Sequence, residues 1–126
     1  MKNANIAHLK SKDLNDLLKK WLLFTRPIHG LTEAEENILY CFLRKKFEFS
    51  ASVSSDEIVD RLLFSTDVRK DVMEELGYKM GTFQNYLSSM RAKGVISENK
   101  INKKIIPNIK LGDKSFQLIF NFSING

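Results

Sequence analysis

Apolar residues along 10–24 recur with the period of a helix. Leu14, Leu17, Leu18 and Trp21 fall at i, i+3, i+4 and i+7, one face of a 3.6-residue repeat. Lys12, Asp16, Lys19 and Lys20 fill the other side, and Pro27 and Gly30 are expected to end the helix. Its apolar face must be buried, by the rest of the domain or by another chain. Residues 1–30 therefore read as an amphipathic arm for oligomerisation or packing, and 31–126 as the domain proper.

Thr32 and Glu35 have capping-box spacing, the hydroxyl accepting from the Glu35 amide and the carboxylate reaching back to the Thr32 amide. The helix they open carries Ile38-Leu39-Tyr40-Cys41-Phe42-Leu43, apolar nearly all round, which predicts a central helix contacted on several sides. Arg44, Lys45 and Lys46 are expected at its C-terminal end. Ser54-Ser55-Asp56-Glu57 reads as a second capping box, opening a short helix with Ile58, Val59, Leu62 and Leu63 inward. Ser65-Thr66-Asp67 starts another, with Val68, Val72 and Leu76 inward and Gly77 as its left-handed terminus. A further helix runs from near Gly81-Thr82 to Lys93-Gly94, with Phe83, Tyr86, Leu87 and Met90 on its apolar face.

After Gly94 the period changes. Val95-Ile96-Ser97 reads as a short strand, and residues 98–104 are polar and lysine-rich. Ile105–Leu111 and Phe116–Phe122 read as two strands of a hairpin joined by Gly112-Asp113-Lys114-Ser115. Phe116, Leu118, Phe120 and Phe122 alternate onto one face, and Pro107 requires an edge or a bulge. The fold class is mainly α with a C-terminal β-hairpin.

The chain has 126 residues, one domain by length, and 43% are hydrophobic, so it can bury a core. Net charge is +5 and unevenly placed. Residues 79–114 carry eight Lys and Arg against two acids, whereas 32–64 carry four against seven. A basic C-terminal half points to a polyanion, or to no more than a solvated lysine-rich surface. A single cysteine, Cys41, excludes a disulfide framework. Apolar runs of about six residues are too short for a bilayer, and the polar start Met1–Asn5 lacks a signal-peptide core, so a cytoplasmic location is expected.

Helix, glycine turn, helix and basic hairpin follow one another in the order of a winged helix-turn-helix. Residues 68–77 resemble the first helix and turn of that motif, and residues 82–96 its recognition helix. The ending Met90-Arg91-Ala92-Lys93-Gly94-Val95-Ile96 resembles the Leu-x-x-Lys-Gly-Val-Ile close of MarR-like regulators, with methionine in the leucine's place. Leu31-Thr32 before Glu33, Glu35 and Glu36 matches their usual lead-in. Lys79, where such helices usually start with a Ser or Thr cap, departs from the pattern, as do the short helix 55–64 and the long segment 97–104. The resemblance covers residues 31–122. It implies double-stranded DNA as partner, helix 81–93 in the major groove, a 97–122 wing on the backbone, and Leu14, Leu17, Leu18 and Trp21 as the oligomerisation face.

The helical period supports that assignment. With the apolar face inward, Gln84, Asn85, Ser88, Ser89 and Ala92 turn outward, and Arg91 and Lys93 flank them. Asn and Gln amides pair bidentately with adenine, and Ser and Thr contact bases or phosphates. Lys79, Thr82, Gln84, Asn85, Ser88, Ser89, Arg91 and Lys93 are the candidate contacts on the helix, and Lys100, Lys103 and Lys104 those on the wing. The bland alternative is a solvated polar face with no central arginine.

No enzyme constellation, metal site or cofactor site is read from the chain. His8 and His29 have no acidic cluster beside them and read as surface or capping residues, and Cys41 reads as inert core. A second reading is a non-catalytic assembly component, for example of a phage particle, with the winged helix serving protein contacts. The Lys-, Asn- and Ile-rich composition suits such an AT-rich source, and a virion location goes with it.

Overall fold

The structure, a computed structural model, describes residues 5–110 and 112–124. The N-terminal residues 1–4 and Leu111, the expected end of a strand, lie outside that range. Among the described residues the order is α1 (Leu14–Phe24), α2 (Arg26–His29), α3 (Glu33–Ser50), α4 (Asp56–Leu63), α5 (Thr66–Leu76), α6 (Met80–Ala92), β1 (Ile96–Ser97) and β2 (Lys100–Ile101). The chain is mainly helical with one small antiparallel hairpin.

The central helix is α3. Its capping box forms as the sequence predicts, with Glu35 N donating to Thr32 Oγ1 at 3.3 Å and Thr32 N to Glu35 Oε1 at 2.9 Å. Ile38, Leu39, Cys41, Phe42 and Leu43 are all buried, and α1, α4, α5 and α6 each pack on this helix. The helix does not end at Arg44-Lys45-Lys46. It continues to Ser50 because Phe47 and Phe49 still reach the core. Arg44 instead pairs with Glu75 of α5, and Lys46 with Asp60 of α4 at 3.1 Å.

The face of α1 is used within the chain. Leu18 and Trp21 are buried in the same core as α3, Leu14 packs against it, and Leu17 is half-buried. Trp21 Nε1 donates to the Ile105 carbonyl at 2.7 Å, joining the first helix to the chain beyond β2. The oligomerisation seam expected there is therefore covered by the chain's own residues. Pro27 does not end α1, which stops at Phe24. It enters the first turn of α2, which closes on Gly30 at φ 63.

Two smaller expectations are corrected in α4. Its cap is Ser55 rather than a Ser54–Glu57 box, with the Ile58 amide donating to Ser55 Oγ at 3.4 Å. Val59 and Leu63 are buried, but Ile58 and Leu62 face out, since eight residues present one i, i+4 row to α3.

The C-terminal half differs most. The hairpin forms earlier and is shorter than expected, pairing Ile96 with Ile101 and Ser97 with Lys100. Its two-residue turn, Glu98-Asn99, has positive φ at both positions (52° and 56°), as type I′ hairpin turns require. Residues 105–110 are not a strand. Ile105 and Pro107 are buried without a neighbouring strand, and Ile109 N donates to the Pro107 carbonyl at 2.9 Å. A turn closed by Asp113 N on the Lys110 carbonyl follows, and Phe116–Phe122 pairs with no strand among the described residues. A 97–122 wing is thus replaced by a β1–β2 hairpin and irregular chain. No helix among the described residues is long and apolar enough to cross a membrane.

Candidate nucleic-acid interface

Local chemistry sets the angle between α5 and α6. The Ser65 hydroxyl caps α5, accepting from Val68 N at 3.3 Å. At the other end Gly77 N donates to Glu74 O (3.1 Å) and Tyr78 N to Met73 O (3.0 Å), the bond pair of a Schellman motif. Gly77 has φ 73, a conformation that strains any side chain with a β-carbon. Three residues, Gly77 to Lys79, then separate the two helices. Lys79 holds the N-cap position with no side-chain cap. The Tyr78 and Tyr86 rings lie 5.2 Å apart and fasten the turn to α6. A second Schellman pair ends α6, with Gly94 at φ 77 and Val95 N on the Met90 carbonyl.

Phe83, Leu87 and Met90 are buried and Tyr86 is half-buried, so α6 seats the predicted face. Thr82, Asn85, Ser88, Arg91 and Ala92 are exposed. Gly81, Asn85, Ser88 and Ala92 line the middle of this outer face, all small or short, so a ligand can approach the helix backbone closely. Gln84 is half-buried, its amide 3.7 Å from Met80 Sδ.

Two candidate contacts serve the protein instead. Lys93 Nζ donates to Glu35 Oε1 at 2.5 Å, and Glu35 is 1% exposed. Burial raises the Glu35 carboxyl, but Lys93, Ser89 and the Thr32 amide and hydroxyl outweigh it and hold it at about 2. Glu35 Oε2 has no hydrogen-bond partner among the described residues, so this carboxylate depends on Lys93. Ser89 and Lys93 therefore join α6 to the start of α3 and are not an open contact surface.

Of the remaining candidate cations, Arg91 lies exposed on α6, and Lys79, Lys100, Lys103 and Lys104 are exposed outside it; none makes an ion pair among the described residues. Lys103 and Lys104 sit in a 3-10 turn, Lys103–Ile105, capped by Asn102, whose Oδ1 accepts from Lys104 N at 3.0 Å. The Asn102 side chain also donates to the Gly94 carbonyl at 3.2 Å, tying the lysine turn to the end of α6. Sequence reasoning missed Asn102, although an Asn two residues before the acceptor-seeking amide is an Asx-turn signal. The hairpin tip leans toward α4, where Glu98, Asn99 and Lys100 share a shallow groove with Glu57, Asp60 and Arg61.

Comparison with protein-family models, curated proteins and solved structures finds no match. The geometry of the chain itself is what bears on function.

His29 is buried rather than at the surface, and its Nδ1 accepts from Leu31 N at 2.9 Å. The ring proton is then on Nε2, 3.0 Å from the Leu22 carbonyl. His8 is exposed. Cys41 is a free, buried thiol pushed up to about 12 by burial and by Glu75, to which it donates. No three His, Cys, Asp or Glu gather into a metal-sized group among the described residues.

Proposed function

We propose that the chain is a small, non-catalytic winged-helix DNA-binding protein, regulatory in role, with α6 in the major groove. The observation that carries this reading is the outer face of α6. Asn85 and Ser88 stand exposed between Gly81 and Ala92, on a helix held by a glycine turn, with Lys79 at its start and the Lys103–Lys104 turn tied to its end, these lysines making no ion pair among the described residues. The Asn85 amide suits the N6 and N7 edge of adenine, and Ser88 and Thr82 suit bases or phosphates. Lys79, Lys103 and Lys104 supply phosphate contacts, which position without reading sequence. The hairpin tip, with Glu98 foremost, contributes less than a lysine-tipped wing would.

Fluorescence anisotropy on duplex DNA across a salt series tests the reading. Affinity should fall with a log–log slope of roughly −0.9 per phosphate contacted. Lys103→Ala/Lys104→Ala should flatten that slope by roughly two contacts for any sequence, whereas Asn85→Ala should lower selectivity by about 1–3 kcal/mol at one position. Absent binding at low salt, or binding indifferent to salt, defeats the proposal.

The exposed apolar chain beyond Phe116 favours a second reading, a structural assembly component such as a phage-particle protein. In that case the chain joins a large complex that excess DNA does not displace.

A further inference from the structure

Phe116 is the last residue fastened to the helical body, its ring tilted against Trp21 at 5.8 Å. From Gln117 to Ile124 every residue is exposed, with Ile119 at 61%, Phe122 at 93% and Ile124 at 91%. The Phe120 and Phe122 rings are 6.3 Å apart, the spacing of side chains at i and i+2 on one side of an extended chain. Residues 115–124 carry no charge. A strand-forming segment with unpaired backbone groups and exposed aromatics is a template for another strand. Among the described residues the chain offers none, because 105–110 is held against α1 through Ile105.

The order of residues identifies the partner. Ser115-Phe116-Gln117-Leu118-Ile119-Phe120-Asn121-Phe122-Ser123 is a palindrome by chemical class, centred on Ile119. We propose that residues 115–123 are a self-pairing strand through which two copies of this chain join antiparallel, with the two-fold axis at Ile119. Ser115 then faces Ser123, Phe116 faces Phe122, Gln117 faces Asn121, Leu118 faces Phe120, and Ile119 faces its equivalent. Phe116, Leu118, Phe120 and Phe122 meet across the strands on one face, and the Ile119 pair lies between amide and serine pairs on the other, the kinds of pairing that stabilise antiparallel ladders. No like charges meet. Leu118, Ile119, Phe120 and Phe122, exposed by 37%, 61%, 39% and 93%, offer roughly 460 Å² per copy at ~200 Å² for each fully exposed large residue. Two copies therefore supply roughly 900 Å², the size of a weak, reversible interface. The inference does not depend on α6 binding DNA.

Sedimentation velocity of the full chain over roughly 1–100 µM tests it, with dimer expected. Ile119→Asp sets two carboxylates face to face on the axis and should weaken self-association roughly 100-fold while helical circular dichroism is kept. Ile119→Cys should form an interchain disulfide on mild oxidation, because directly opposed Cα atoms lie roughly 4.5–5.5 Å apart, within the range of about 4.4–6.8 Å that a disulfide spans. Gln117→Cys, opposed by Asn121, should not. The native Cys41 is buried and does not compete. A wild-type monomer throughout, an Ile119→Asp dimer of unchanged affinity, or equal cross-linking at positions 117 and 119 overturns the proposal.

Discussion

Glu35 and Lys93 form the most consequential pair at the scale of single residues. Glu35 titrates at about 2 instead of its ordinary 4.5. A carboxyl depressed on folding stabilises fully above its unfolded value and loses that contribution as pH falls through the folded one. Stability should therefore decline between pH 4.5 and 2, and urea unfolding across that range should show a shallower decline for Glu35→Gln than for wild type. Lys93→Met strands a buried carboxylate and should cost about 2 kcal/mol at neutral pH, less than for a wholly buried pair because the Lys93 side chain is one-third exposed. The double variant should recover part of that loss. These results bear on α6 without invoking DNA, since Lys93 is counted with the fold.

At the scale of elements, the hairpin is the least favourable piece. Type I′ turns prefer Asn-Gly, and here Glu98 and Asn99 must hold positive φ. Glu98→Asn/Asn99→Gly should raise stability by about 0.5–1 kcal/mol, read as a higher midpoint in thermal unfolding. Elements with strong local chemistry were legible from the sequence. The Thr32–Glu35 box, the Ser65 cap and the Gly77 terminus each occupy their predicted places, because a capping bond or a left-handed residue depends on a few neighbours. The strands were not. Two-residue β1 and β2 are too short to show alternation, whereas Phe116–Phe122 alternates well but has no partner within the described chain. Alternation reports a face seeking cover and does not say where the cover is. The same ambiguity applied to Leu18 and Trp21, whose spacing fits a dimer seam and an internal face equally.

For the whole molecule, the core extends across the boundary that the first helix and its Pro27–Gly30 ending suggested near residue 30. Leu18, Trp21 and Leu22 are buried together with residues from α3 to β2. Each such truncation costs about 2–5 kcal/mol, against a total of about 5–15 kcal/mol for an ordinary domain. A chain of residues 31–126 should consequently lose its cooperative thermal transition in circular dichroism, whereas removal of residues 1–9 should leave it intact. Candidate-site residues were legible on α6, where burial follows the helical period. Their division into outward and inward-serving groups was not, since Glu35 lies 58 positions before Lys93.

The lone thiol of Cys41 gives this molecule an internal clock. Sealed in α3 and titrating near 12, it stays silent toward alkylating reagents while the helices remain closed. Its modification rate at neutral pH counts openings of the core, one chain at a time, without any added probe. If α6 takes duplex DNA as proposed, comparing that rate with and without the duplex measures how firmly the bound molecule holds the central helix shut.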